Sequence, residues 1–350
     1  MAKYPSNPLL LVALLCAFAA ARINCLDQNG ICKSLVETQG YTCQDHQVTT
    51  EDGYILGLQR IPSGKSSNNS TAQKLPVLLQ HGLMGDAGSW LLNPPNQALA
   101  FILADKGFDV WLANARGTQA SRGHKSLNNI DPAYWEWTWD QLAAYDLPAF
   151  FNYVNNHRTE STLCWPFIGN IVSASCLVTT KAEYHTKISS FALSSCLSGD
   201  STPLESGNIL LQGPNCCITP TSSNLLFQHI PQSTSTKNMV HMSQMIRRGT
   251  ITMFDYVLPA INMQRYNQLT PPVYNMASIP KDVPLFFGYG GRDALSDVND
   301  VKALLNDLRD HDKDKLVEQY IEEYAHMDFI MAGNANQKVY DPLLTFFGQN

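Results

Sequence analysis

The apolar positions of the chain fall into short unbroken runs separated by stretches of helical spacing. Leu75 to Leu79 is one such run, ending in Gln80-His81-Gly82-Leu83, and it predicts a strand covered on both faces. Ala98 to Lys106 has the spacing of a helix and stops at Gly107, and Phe108 to Ala113 is a second buried strand, ending in Asn114-Ala115-Arg116-Gly117. Strand, helix and strand in that order are the unit of a parallel sheet. Before them, Tyr54 to Gln59 follows the turn pair Asp52-Gly53 and predicts another strand; after them, Asp140 to Val154 predicts a helix.

The alternation resumes near the C-terminus. Val283 to Phe287 predicts a strand that runs into Gly288-Tyr289-Gly290-Gly291-Arg292-Asp293. A helix over Val298–Leu308, a strand over Val317–Ile321 leading to Tyr324-Ala325-His326, and a closing helix over Val339–Phe347 follow. Between the halves, residues 199–279 are rich in Ser, Thr, Asn and Pro, with one helix-like run at Met239–Arg247, and read as an inserted subdomain. The division expected is therefore 1–21, 22–50, a first core half over 51–198, the insertion over 199–279, and a second core half over 280–350.

Composition narrows the class. At 350 residues and 44% hydrophobic the chain can bury a large core, and 15% charged residues with a net charge of −6 give no electrostatic footprint for nucleic acid. Lys3, the apolar run Leu9–Ala20 and the small residues at 17–21 read as a cleaved secretory signal over 1–21, since the run is shorter than the ~20 residues a spanning helix needs. No later stretch predicts a transmembrane segment, and the route implied is secretion or a vacuole- or lysosome-like compartment. Export permits disulfides. Past the signal stand Cys25, Cys32, Cys43, Cys164, Cys176, Cys196, Cys216 and Cys217, of which Cys32 with Cys43 is the one bridge expected. Without a Cys-x-x-Cys pair, neither a metal nor any other cofactor is expected. Asn68 and Asn69 head overlapping glycosylation sequons in the polar stretch Gly64–Gln73.

Three features lie just past buried strands, where parallel sheets place ligand sites. A glycine after a strand, as in His81-Gly82-Leu83, lets the backbone turn and present N–H groups of the kind an oxyanion hole needs, although it also suits an ordinary turn. Asp293 and His326 each follow a C-terminal strand. Taken singly they suit a surface carboxylate and a core histidine; in this order along an α/β chain they suit an acid–base pair.

Gln80-His81-Gly82-Leu83, Asp109 to Gly117 (DVWLANARG), Tyr134 to Trp139 (YWEWTW) and Ala144 to Ala149 (AYDLPA) resemble the acid lipases, the family of gastric and lysosomal acid lipases and plant triacylglycerol lipases, with the plant members nearest. Gly288 to Asp293, Tyr324 to Phe329 and the cap motif Gly213-Pro214-Asn215-Cys216-Cys217 are similar to motifs of the same family. The resemblance implies an α/β-hydrolase fold whose inserted segment is a cap. It implies an oxyanion turn at His81, Gly82 and Leu83 with the Leu83 N–H as donor, Asp293 as charge-relay acid and His326 as base. It further implies cleavage of triacylglycerols or steryl esters at a lipid–water interface, without a metal.

One part of the pattern is missing. Nucleophilic hydrolases of this fold carry Gly-x-Ser-x-Gly on a strained strand-to-helix turn, and this chain contains none. Near Phe167, where the serine is expected, stands Leu163-Cys164-Trp165-Pro166-Phe167-Ile168-Gly169-Asn170. The codons of Cys164 to Asn170, read one base later, are compatible with Val-Gly-His-Ser-Leu-Gly-Thr, and those of Lys187 to Leu193 with a family-like strand in the same offset. Residues 158–196 therefore read as translated out of frame, with a separate loss shortening the cap at Leu197–Gln212. The expectation is a lipase by descent that is inactive as written; the alternatives are a non-catalytic lipid-binding protein or a non-functional translation product.

Overall fold

The computed structural model describes residues 30–66, 74–157, the backbone of 167–168, 213–218, 222, 225–226 and 229–349. The signal run, the Asn68 and Asn69 sequons, and all of 158–196 apart from that dipeptide lie outside the described residues.

The first core half is a mixed sheet. Its strands are β1 (Gln44–Thr49), β2 (Tyr54–Ile61), β3 (Pro76–Gln80), β4 (Asp109–Ala113), β5 (Gly123–His124) and β6 (Phe167–Ile168), in the order β1-β2-β4-β3-β6 with β5 on β2. β3 and β4 run parallel from Pro76↔Asp109 to Gln80↔Ala113, with helix α1 (Leu99–Asp105) making the crossover. The β6 backbone pairs parallel with the other edge of β3, at Leu78↔Phe167 and Leu79↔Ile168. Central strands with helices on both sides must be apolar on both faces, and period-two geometry splits them. Val77, Leu79, Val110 and Leu112 pack with Phe101 and Leu103 of α1, while Leu78 and Trp111 pack on the opposite side with Phe150 and Val154 of helix α2 (Leu147–Asn156).

The helix expected over Asp140–Val154 is three pieces: a turn over Trp139–Gln141 capped by Thr138, a wide turn over Leu142–Asp146, and then α2. The wide turn closes when the Leu147 N–H reaches back five residues to the Leu142 carbonyl, directly before Pro148. Proline has no N–H and crowds the preceding turn, so widening that turn relieves the clash. The C-terminal helix repeats the device: Asp341 N–H bonds the Asn336 carbonyl, Pro342 follows, and α6 runs over Asp341–Gln349.

In the insertion, α3 (Thr236–Arg248) starts on the Ser235 side chain, which accepts from the Lys237 and Asn238 amides, and ends at left-handed Gly249; α4 (Pro259–Tyr266) follows. The second core half is the parallel pair β7 (Leu285–Gly290) and β8 (Leu316–Ile321), crossed by α5 (Val298–Asp307). β7 begins two residues later than Val283, because Pro284 cannot donate to a ladder. Cys32 is joined to Cys43 by a disulfide with a Cα–Cα distance of 5.4 Å, and Cys216 is joined to its neighbour Cys217. That second pairing lies outside the single bridge expected from the sequence. Among the described residues no helix is long and apolar enough to cross a membrane.

Candidate active site

The parallel register brings Gly290 opposite Ile321, so the turns after β7 and β8 leave the same end of the pair. They fit against each other backbone to backbone: Gly291 N–H donates to the Ile321 carbonyl at 3.0 Å and Arg292 N–H to the Tyr324 carbonyl at 3.0 Å. A Cβ at Gly290 would lie 2.1 Å from the Tyr324 carbonyl oxygen, and one at Gly291 2.5 Å from that of Glu322. The paired glycines are what permit this approach.

The result is a defined carboxylate–imidazole pair. His326 Nδ1 lies 3.0 Å from Asp293 Oδ2, and Asp293 Oδ1 accepts the Leu295 and Ser296 amides, both at 2.8 Å. With one oxygen held by two backbone donors, the other is aimed. A carboxylate only accepts, so the imidazole proton resides on Nδ1 and the Nε2 lone pair is left for another group. No bond to Nε2 forms among the described residues. Burial pulls the His326 pKa down, and the charge and hydrogen bond of Asp293 outweigh that pull, leaving it above its ordinary value.

The His81-Gly82-Leu83 turn is built at the parallel ends of β3 and β4. His81, 4% exposed, accepts the Ala115 N–H at Nε2 (3.0 Å), so its Nδ1 carries the proton and donates to the Gly82 carbonyl at 2.7 Å. Both nitrogens are committed, and burial holds the ring below its ordinary pKa: His81 is a neutral brace between the two loops. Leu83 is 39% exposed, and Met84 takes a positive φ of 59° while its carbonyl accepts the Gln232 amide. A cavity opens here, bounded by Leu83, Met84, Ala115 and Trp137 from the core and by Asn238 and Met242 of α3. Asp293 and His326 are not among the residues bounding it. The His81–Leu83 turn meets the insertion across this cavity, while the turn carrying His326 is packed on the same core, with Ile321 and Tyr324 in one buried cluster with Val77 and Leu79.

Two buried charged groups escaped the sequence reading. Arg116, fully buried, bonds both oxygens of Asp52 at 2.7 and 2.9 Å, reaches Asp146 Oδ1 through Nε at 2.7 Å, and lies 3.8 Å over the Tyr54 ring. Asp328, also fully buried, accepts the amides of Ala325, Cys216 and Cys217 at 2.8, 3.0 and 3.2 Å. The signal was a charged residue inside an otherwise apolar motif. Spacing alone cannot name partners 30 to 64 positions away. Cys216, Cys217 and Asp328 approach one another closely enough to suggest a metal site, but the two sulfurs are bonded to each other and offer no thiolate.

Residues 32–94 match the family model of the partial alpha/beta-hydrolase lipase region. Over 368 positions, drawing on 91% of this chain and 87% of the relative, the sequence is 38% identical to triacylglycerol lipase 2 of Arabidopsis thaliana. The chain belongs to the acid lipase family. A second acid lipase relative, lipase member K of Mus musculus, is 34% identical over 89% of each chain. A soluble variant of the Saccharomyces cerevisiae monoglyceride lipase shares the fold with a TM-score of 0.55, at 13% identity over 88% of this chain and 96% of the other. The fold is that of an α/β-hydrolase. A 368-position match that draws on only 91% of a 350-residue acid lipase spans positions with no counterpart in it.

Proposed function

We propose that in this member of a family of ester-hydrolysing lipases His326 and Asp293 are the proton-relay base and acid, that the Leu83 N–H in the His81-Gly82-Leu83 turn is an oxyanion donor, and that the nucleophilic serine has been lost from 158–196. The observation carrying the reading is the 3.0 Å bond between His326 Nδ1 and an Asp293 carboxylate locked by two amides. In such a pair the imidazole takes a serine proton as the hydroxyl attacks an ester carbonyl, then returns it to the departing alcohol; water repeats the cycle on the acyl-enzyme. Without a hydroxyl at the elbow the relay has nothing to deprotonate.

Triacylglycerols or steryl esters at a lipid–water interface are the substrates proposed, with delivery by the secretory pathway and sugar at Asn68 or Asn69. Support for interfacial contact comes from the insertion, where Val257, Leu258, Leu269 and Val273 are 75%, 59%, 59% and 64% exposed. Large apolar side chains left exposed within one short segment suit a surface that meets another phase or partner.

The test has two arms. Sequencing the transcript across codons 158–196 is expected to reveal serine-elbow codons in the shifted frame. Short-chain ester turnover is then measured for the chain as written, for a chain carrying the shifted-frame reading of 158–196, and for the latter with His326→Ala. Background rates in the first and third beside turnover in the second support the reading; turnover by the chain as written, or turnover in the third equal to that in the second, refutes it. Retention of lipid without turnover by any of the three would favour a lipid-binding protein instead.

A further inference from the structure

The Gly213–Ile218 segment of the insertion crosses both turns that carry the acid and the base. At its start Gly213, with φ +89°, lies so close to the acid turn that a Cβ there would stand 1.9 Å from the Arg292 carbonyl oxygen. In its middle the Cys216 and Cys217 amides donate to the two oxygens of Asp328, whose Oδ2 also accepts the Ala325 amide, next to His326. At its end Gly333 N–H donates to the Cys217 carbonyl at 2.9 Å, and Ile218 forms an antiparallel bridge with Ala332. One stretch of cap backbone is thus pressed on the residue before Asp293 and pinned at several points around His326.

We propose that Gly213–Ile218 is a strap that holds the acid and base turns in register, with Asp328 as the positioning residue that fastens it to the His326 turn. Asp328 touches neither the imidazole nor the cavity. It acts by gathering three amides onto one buried carboxylate, and hydrogen bonds to a charged acceptor are the strong kind. The inference rests on His326 and Asp293 being the relay pair, yet its readout needs no turnover and so fails independently of the nucleophile question.

The test is the His326 titration, followed by NMR on protein labelled at the histidine Cε1, in Gly213→Ala, Asp328→Asn and Asp328→Ala. Gly213→Ala is decisive because it displaces the strap without altering any charge. Loosening the turns weakens the coupling to Asp293, and an opposite charge at this range is worth about one pH unit or more. The His326 pKa is therefore expected to fall by roughly that much in Gly213→Ala and Asp328→Ala, and by less in Asp328→Asn, which keeps one acceptor oxygen. Gly249→Ala, a left-handed glycine at the end of α3 with φ 64°, imposes a similar backbone penalty away from the strap and should leave His326 unmoved. A folded Gly213→Ala with the parental His326 pKa overturns the proposal. Should the variants not fold, amide exchange in the parent decides: Cys216, Cys217 and Ala325 are expected to exchange at one common slow rate, and fast exchange at Cys216 and Cys217 beside a protected Ala325 overturns it.

Discussion

Replacing Arg116 by methionine should destabilise the protein by about 3–5 kcal/mol, the range for removing one partner of a buried ion pair. The guanidinium is fully buried, and its partners differ: the Asp146 side chain is 4% exposed and that of Asp52 is 24% exposed. Asp52 can rehydrate, so most of the penalty falls on Asp146, left without the Nε bond at 2.7 Å and the Nη2 contact at 2.6 Å. Methionine keeps much of the volume, and only the contact with the Tyr54 ring, roughly 0.5–2 kcal/mol, is lost besides the charge. Urea unfolding followed by the fluorescence of the six tryptophans measures the difference. The pH dependence separates charge from packing. In the parent, burial pushes the Asp146 pKa up and Arg116 pulls it back; without the guanidinium only the bond from the residue 116 amide still opposes the push. A carboxyl whose folded pKa is raised above its unfolded value gains stability as it is protonated, so the deficit should shrink as the pH falls toward 5. A deficit below about 1 kcal/mol at pH 7, or one that does not change with pH, would refute the reasoning.

Other consequences are equally open to measurement. Gly290→Ala places a methyl 2.1 Å from the Tyr324 carbonyl, so the turns carrying Asp293 and His326 must part, with a loss of about 1–3 kcal/mol in a thermal melt; an unchanged midpoint would contradict the tight fit. In a chain whose elbow has been restored, turnover requires neutral His326, so ester hydrolysis should fall as the pH drops through an inflection above the 6.5 of a free imidazole, and an inflection below that value would show that Asp293 does not support the ring. The same shift makes the folded state more stable at low pH: the gain is complete below the unfolded pKa and disappears as pH rises through the folded one. Asp140→Ala removes the acceptor of the Tyr274 hydroxyl (2.6 Å) and the Phe254 amide (2.9 Å), so limited proteolysis should cut sooner around 250–275 while the core stays intact; uniform resistance would show that this anchor is dispensable.

Much of the core was legible because its strands are buried on both faces. Runs such as Val77-Leu78-Leu79 and Val110-Trp111-Leu112 have no competing reading once Gly107 and the Gln80-His81-Gly82 turn bound them. The order of motifs placed Asp293 and His326 at strand ends, where β7 and β8 carry them. Less was legible where one residue changes the local path. Pro148 and Pro342 each impose a widened turn that apolar spacing cannot register, and Pro284 delays β7. The roles of His81, Arg116 and Asp328 depend on partners distant along the chain, such as the Ala115 amide, Asp52 and the Cys216–Cys217 amides. A linear pattern shows that such a group is present in an apolar setting, but only the fold shows what satisfies it.

The Asp293–His326 pair closes over just 33 positions, from the turn after β7 to the turn after β8 of one strand–helix–strand unit. Short closures lose little chain entropy, so the distant segments packed around the pair have only to lock a contact that the local chain already favours. On the proposed reading, a loss confined to 158–196 removes one partner of a catalytic trio and leaves in the chain both the local closure and the Gly213–Ile218 segment fastened to it. Degeneration of such an enzyme is expected to be modular, with locally closed pieces outlasting those that need a strand from elsewhere in the chain.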